Sequence, residues 1–532
     1  MLILESHHIE HTIGDRLLFA FDRLSVGKHD RIGVVGLNGT GKTTLLRILE
    51  GQLEPDKGTV TTTVTRTFIP QLKPDIGFLS GGEVTARYID EALAARSELL
   101  FADEPTMHLD VERIERLEER FRQYQGAIVV VSHDRAFLDR ICSRIWAVED
   151  RTVRVYKGGY SDYETQRELE KRQHHERYEA YVDKRRQLEE AVALKNGKAS
   201  GMMKPPNGVG PSEARGGKDF RGSTQKGVHK SIKALETRIE KLERVEKPRE
   251  LPRVKMQLPN EAALHKLTAI RVERLTAKAG ERTLWSNVSF ALQAGRKAAL
   301  IGSNGSGKTT LLKRILSREA GVSIASAVKP GYFSQNLDIL NPAKSVLANA
   351  AETAVQSDAV VRNVLARLLF TRDDVYKPVG VLSGGERVKA AFAKLFVSDI
   401  NLLILDEPTN FLDIPSIEAL EQLLRDYEGT LLFVSHDRRL IRGAANQILH
   451  ITDGRIVSYD GTYADYEDHL LRAAQAGAPD LEEELMMTET KLSEVLGKLG
   501  MPGPADDPDM LDRLFRQLAS RRNELKKLLG RK

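Results

Sequence analysis

The sequence predicts an α/β protein built twice, each half a mainly parallel sheet with helices packed on it, the halves joined by a long helical hairpin. Three observations predict this. Four short motifs occur once in each half in the same order, each lies where an apolar strand-length run ends or a helical pattern begins, and the stretch between the halves turns highly charged. At about 150 residues per domain, the 532 residues correspond to three or four units. With 41% hydrophobic and 29% charged residues, the chain has a globular composition and not a disordered one. The single cysteine, Cys142, excludes an internal disulfide framework and paired-cysteine metal sites, and it points to a reducing, cytoplasmic setting. The first residues lack the basic start and apolar run of a leader, and no 18 apolar residues run together, so no membrane span is expected.

The first motif is Gly36-Leu37-Asn38-Gly39-Thr40-Gly41-Lys42-Thr43, which returns as Gly302-Ser303-Asn304-Gly305-Ser306-Gly307-Lys308-Thr309 at an offset of 266. Each copy follows an apolar strand, 31–35 or 297–301, and opens a helical pattern, which is the context a phosphate loop requires. Glycines let successive backbone N–H groups turn toward phosphates at a helix N-terminus. Lys42 and Lys308 then reach the β- and γ-phosphates, and Thr43 and Thr309 hold magnesium. A chance match arises in a few per cent of chains of this length at about 7% glycine; two matches in context leave that reading negligible.

Three further motifs share an offset of 303: Leu79-Ser80-Gly81-Gly82-Glu83 with 382–386, Asp103-Glu104-Pro105-Thr106 with 406–409, and Ser132-His133-Asp134-Arg135 with 435–438. Residues 99–103 and 402–406 read as buried parallel strands ending in a carboxylate, which places Asp103 and Asp406 at the carboxyl edge, where ligands bind in open α/β sheets. There they hold a metal through water. Glu104 and Glu407 follow directly and are placed to orient or deprotonate the attacking water. Residues 127–131 and 430–434 read as strands that deliver His133 and His436 to the same edge as γ-phosphate sensors. An acidic pair after a strand is usually a solvated turn. Its duplication beside two phosphate loops reverses that expectation.

Phosphate loop, Leu-Ser-Gly-Gly-Glu, Asp-Glu-Pro-Thr and Ser-His-Asp together resemble the ATP-binding-cassette ATPases. The resemblance implies ATP and Mg2+ as ligands, with Thr44 and Thr310 completing each phosphate site, and Gln71 and Gln335 as lid glutamines touching metal and water. It also implies a monomer whose two cassettes pair within the chain, with Ser80, Gly81 and Gly82 serving the nucleotide at Lys308, and Ser383, Gly384 and Gly385 the one at Lys42. Between Gln71 and Ser80 lie 8 residues, against 47 between Gln335 and Ser383, so the first cassette has lost most of its helical subdomain, the part that grips membrane partners in transporters. Where the family places an adenine-stacking aromatic, this chain has Ile13 and Ala279, which leaves ATP against GTP open.

From 161 to 250 the chain holds 21 basic and 16 acidic residues, and from 191 to 230 it holds 8 against 2. The simplest shape is two antiparallel helices of about 30 residues each, roughly 45 Å long, joined by a basic tip of nearly 30 residues. A solvated spacer is the bland reading of such a pair. Loops of that length are usually functional or disordered, and Lys195, Lys198, Lys204, Arg215, Lys218, Arg221 and Lys226 form a footprint for a phosphate backbone, with Met202 and Met203 among them. With few aromatics interleaved, shape recognition of folded RNA is favoured over base stacking.

Two cassettes joined by a charged helical linker resemble the ABC-F proteins over nearly the entire chain. The shortened first lid, Ser80 to Thr85, Asp103 to Asp110, and Met203-Lys204-Pro205-Pro206 are most similar to the Vga group of antibiotic-resistance ABC-F proteins. That resemblance implies a ribosome partner contacted through ribosomal RNA and P-site transfer RNA, and displacement of lincosamide, streptogramin A or pleuromutilin drugs, with the tip nearest the drug. It implies neither membrane nor DNA as a partner. The alternatives are a housekeeping ABC-F factor that relieves stalled ribosomes and, further off, an ATPase pair serving a membrane exporter. The expected domains are 1–162, a first cassette; 163–258, the hairpin linker; 259–474, a second cassette; and 475–532, a C-terminal helical hairpin whose leucines pack together and whose basic end lies at 521–532.

Overall fold

The computed structural model describes residues 1–71, 81–107, 109–201, 218–247, 267–334, 337–371 and 373–470, then 472, 485, 488, 491, 492, 495 and 508–528. The chain divides into two compact units, residues 1–108 with 114–253, and 109–113 with 254–532.

The first unit runs β1 (Leu2–Ile13), β2 (Arg16–Gly27), β3 (Arg31–Gly36), α1 (Lys42–Glu50), β4 (Lys57–Thr62), β5 (Arg66–Ile69), α2 (Gly81–Ala94), β6 (Leu99–Asp103), α3 (Val111–Gln123), β7 (Ala127–Val131), α4 (Arg135–Ile141), β8 (Arg144–Glu149) and β9 (Thr152–Lys157). It ends in two long helices, α5 (Tyr160–Gly201) and α6 (Lys218–Glu240). β5, β6, β7, β3 and β8 are parallel neighbours in that order, with β9 antiparallel at the edge; β2, β1 and β4 form a separate antiparallel sheet. Every residue of β6 and β7 is buried, as expected of interior parallel strands whose two faces are covered. Ile32, Val34, Leu45, Leu49, Phe101, Val129 and Trp146 join Phe19 from the antiparallel sheet in one core. Because the strands run parallel, Gly36, Asp103 and Val131 all end at one edge, with Asp103 opposite Val131.

The second unit repeats the plan: β10 (Thr268–Ala279), β11 (Arg282–Gln293), β12 (Lys297–Gly302), α7 (Lys308–Leu316), β13 (Val322–Ile324), β14 (Pro330–Phe333), α8 (Val346–Ala351), α9 (Asp358–Arg367), α10 (Gly384–Val397), β15 (Leu402–Asp406), α11 (Ile414–Asp426), β16 (Thr430–Val434), α12 (Arg438–Ala444), β17 (Gln447–Thr452), β18 (Arg455–Asp460) and α13 (Pro508–Leu528). Its large sheet has the order β14-β15-β16-β12-β17-β18, the counterpart of the first. Here α8, α9 and α10 form a helical layer that shares a core with the sheet: Phe392 stacks on Phe333 with ring centres 4.3 Å apart, and Val364, Leu365 and Leu368 are fully buried around them.

The hairpin corrects two expectations. α5 is 42 residues long and starts at Tyr160; α6 is 23. The tip therefore shrinks from nearly 30 residues to 202–217 at most, a segment outside the described residues. The reason is helix propensity: Ala191, Ala193, Leu194, Lys195 and Ala199 favour helix, and Gly197, where an added Cβ would meet nothing, costs only about 1 kcal/mol against alanine. The two helices pack on each other, Lys195 donates to Ser231, and Ile232 is buried. The root of α5 is fixed to the sheet, where Tyr163 sits edge-on to Tyr156 at 4.9 Å and donates to Glu149 at 2.8 Å. Near the C-terminus, Leu485, Leu492, Val495 and Leu525 are buried, whereas the predicted break at 501–504 and the last four residues lie outside the described residues.

Candidate active site

Each site starts from a glycine that no other residue can replace without a clash. Gly41 and Gly307 precede α1 and α7 with φ of 96° and 98°, a left-handed conformation natural to glycine, and a Cβ on either would strike Phe19 at 2.9 Å or Trp285 at 2.7 Å. Gly36, Asn38 and Gly39, and Gly302, Asn304 and Gly305, form the loops before them, and Thr43, Thr44, Thr309 and Thr310 lie in the first helical turns. Lys42 Nζ folds back to donate to the carbonyls of Gly36 (2.9 Å) and Leu37 (3.0 Å); Lys308 Nζ does the same to Gly302 (2.8 Å) and Ser303 (3.0 Å). Burial lowers the pKa of Lys308.

At the neighbouring strand ends, Thr43 Oγ1 donates to Asp103 Oδ2 at 2.7 Å. Asp406 is buried and its Oδ1 has no hydrogen-bond partner; the hydroxyls of Thr309 and Tyr332 are beside the carboxylate. Hydroxyl and carboxylate oxygens are the donors a hard divalent cation takes, so these residues fit magnesium. Glu104 and Glu407 each adopt positive φ, 49° and 50°, and their amides donate to Val131 and Val434 on the adjoining strand. That twist turns both carboxyls toward the histidines. His133 Nε2 lies 3.3 Å from Glu104 and its amide donates to the same carboxylate at 3.2 Å; His436 Nε2 lies 3.2 Å from Glu407. Burial pushes Glu104 up to about 8, helped by the adjacent Asp103, and Glu407 up to about 7; burial and then Lys308 push His436 down to about 3. A buried carboxyl titrating near neutrality beside a phosphate loop is suited to accept a proton from water.

The fold thus brings Lys42, Thr43, Asp103, Glu104 and His133 to one sheet edge, and Lys308, Asp406, Glu407 and His436 to another. Gln71 is exposed one residue before an undescribed stretch; Gln335 and Ser80 are outside the described residues. Gly81 and Gly82 open α2. In the second unit Ser383 caps α10 through a reciprocal bond with Glu386, which leaves Gly384 exposed at the helix start and Gly385 buried. Ile13 is 60% exposed at its hairpin. Of the tip residues, Lys198 lies in the last turn of α5 and Lys218 and Arg221 in the first turn of α6, with side chains outside the description; Met202, Met203, Lys204 and Arg215 are outside it altogether.

Ser132 and Asp134, which flank His133, carry a structural role of their own. Asp134 caps α4 by accepting from Phe137 N, and its own amide donates to Ser132 Oγ at 3.1 Å; Asp437 and Ser435 repeat the arrangement. These bonds fix the turn that carries each histidine, and the Asp three residues before a helix amide was a readable capping signal.

A family model described as ABC transporter matches residues 22–78 and 285–410. Ribosome protection protein VmlR of Bacillus subtilis is 32% identical over 549 aligned residues, 97% of each chain. Erythromycin resistance ATP-binding protein MsrA of Staphylococcus epidermidis is 32% identical over 84% of this chain and 97% of its own, and ABC transporter F family member 2 of Arabidopsis thaliana is 30% identical over 87% and 78%. Among solved structures, one described as RNase-L Inhibitor superposes with a TM-score of 0.59 at 19% identity, over 88% of this chain and 93% of that one, a likeness of fold. Among the described residues, no helix is long and apolar enough to cross a membrane.

Proposed function

The chain belongs to the F family of ATP-binding-cassette proteins and is an ATPase, and from that premise we propose that it acts in the cytoplasm on the ribosome, displacing antibiotics bound near the peptidyl transferase centre. One observation carries the reading beyond ATP hydrolysis: a hairpin of long charged helices, α5 and α6, grows from the same unit as a complete phosphate loop and glutamate–histidine pair. Its root, on Tyr160 and Tyr163, is packed like a core. VmlR, similar over 97% of its length, carries ribosome protection in its name, and MsrA carries erythromycin resistance.

Each ATP binds with Lys42 or Lys308 leaving the loop carbonyls for the β- and γ-phosphates. Thr43 and Thr309, with Asp103 and Asp406, and Gln71 and Gln335 from the lids, would hold magnesium, which would supply neutralisation of phosphate charge. Glu104 and Glu407 orient water and take its proton, while His133 and His436 hold each carboxylate and sense the γ-phosphate. The hairpin tip, with its Lys and Arg residues, meets ribosomal RNA and P-site transfer RNA through backbone charge. The drugs proposed are lincosamides, streptogramin A compounds and pleuromutilins, with erythromycin added to the panel because of MsrA.

Replacing residues 198–224 by a brief Gly-Ser turn tests this. It leaves both phosphate loops in place, so nucleotide binding survives, and it deletes five basic against two acidic residues, so ribosome binding becomes less salt-dependent. Drug protection disappears on expression of this variant. Undiminished protection at equal expression would reduce the hairpin to a spacer.

A further inference from the structure

The two phosphate loops rest on different floors. Trp285 of β11 is fully buried, and its Nε1 is close enough to Gly307 that a Cβ there would come within 2.7 Å. Arg314 of α7 covers the indole at 5.8 Å from the ring centre, so the ring is held between the helix and the loop. The indole N–H nevertheless has no acceptor, and neither has the hydroxyl of Ser306, one residue before Gly307 in the same loop. In the first unit the corresponding floor residue is Phe19, equally buried and 2.9 Å from a Cβ on Gly41, and Thr40 Oγ1, at the place of Ser306, donates to the Leu37 carbonyl at 2.9 Å.

A buried donor without an acceptor carries the full desolvation cost of its N–H, and such groups are rare in folded proteins. Phe19 shows that this chain can pack the same spot with no polar atom at all. Trp285 therefore keeps an uncompensated N–H where a phenyl ring suffices for packing, and it does so under the loop that must reshape when Lys308 leaves the Gly302 and Ser303 carbonyls.

We propose that Trp285 is a positioning residue of the second nucleotide site: its indole N–H, together with the Ser306 hydroxyl, is a donor satisfied when the loop closes on nucleotide phosphate, so the second site grips nucleotide more tightly than the first. The first loop, whose Thr40 hydroxyl is bonded within the loop and whose floor is apolar, gains no such bonds on loading.

The full chain with Lys42→Ala isolates the second site, and ADP with magnesium serves as the probe. In that background Trp285→Phe and Ser306→Ala each weaken ADP binding about fivefold, the scale of one net hydrogen bond. Trp146 is the other tryptophan of the chain, so Trp146→Phe leaves Trp285 as the sole indole emitter, and its emission shifts on ADP addition with the same midpoint as binding. If Trp285→Phe melts early, Ser306→Ala and the emission shift decide. ADP affinity within twofold of the parent in both variants, or a Trp285 emission that ignores ADP, overturns the proposal.

Discussion

The two cassettes agree where chemistry is done and differ where the nucleotide is held. Asp103, Glu104 and His133 recur as Asp406, Glu407 and His436 at one offset, with glutamate–histidine separations of 3.3 and 3.2 Å and the same positive φ at both glutamates. The differences lie in the loop floor and the lid. Phe19 faces one loop and Trp285 the other, and the second unit inserts α8 and α9 ahead of α10 where the first has 8 residues between Gln71 and Ser80 ahead of α2. The difference teaches that a parallel sheet fixes the strand-end carboxylates by register, a constraint both halves inherit, while loop floors and lids attach outside the ladder and are free to diverge.

The largest test of this likeness is Glu104→Gln with Glu407→Gln. The amide keeps shape but cannot take a proton, so hydrolysis falls by about 100-fold or more while ATP remains bound, as read by phosphate release beside nucleotide retention. If the repeated geometry means repeated chemistry, each single variant retains a substantial part of the rate; loss of nearly all of it in one single variant would show that one site does the work. Next, Lys42→Ala and Lys308→Ala each abolish nucleotide occupancy at their own phosphate loop, with photo-crosslinking of an azido-ATP mapped by peptide as the measurement.

A smaller effect reads the two buried carboxyls by pH. Both are raised above the ordinary glutamate value, so the folded chain holds protons there that the unfolded chain has lost, and stability declines as pH rises from about 4.5 through about 7 for Glu407 and about 8 for Glu104. Gln removes that decline. In the nucleotide-free chain the melting temperature of each Gln variant gains on wild type from pH 6 to pH 8.5, by a few degrees at most. Differential scanning calorimetry at four pH values reads this. Equal differences at all pH values would break the assignment of buried, protonated carboxyls.

How much of this was legible follows from how local each signal is. Residues 127–131 read as a strand because five apolar, mostly β-branched residues between turns have no other use, and the structure places a strand at Ala127–Val131. The glutamates, lysines and histidines were found because each motif occurs twice. The sequence understates the length of α5 because glycines at 197 and 201 signal a break locally, while the alanines and lysine around them extend the helix. Trp285 gave no motif at all: its contact with Gly307 joins two elements that only the folded chain brings together, and it stands out only when set against Phe19.

The central claim, that ATP drives this chain onto ribosomes, is tested most directly by co-sedimentation of the Glu104→Gln, Glu407→Gln double variant with purified ribosomes through a sucrose cushion, with and without ATP. The variant, closed on ATP it cannot hydrolyse, moves into the ribosome pellet with ATP and stays largely in the supernatant without it. A variant that binds ATP yet remains in the supernatant under both conditions would contradict it.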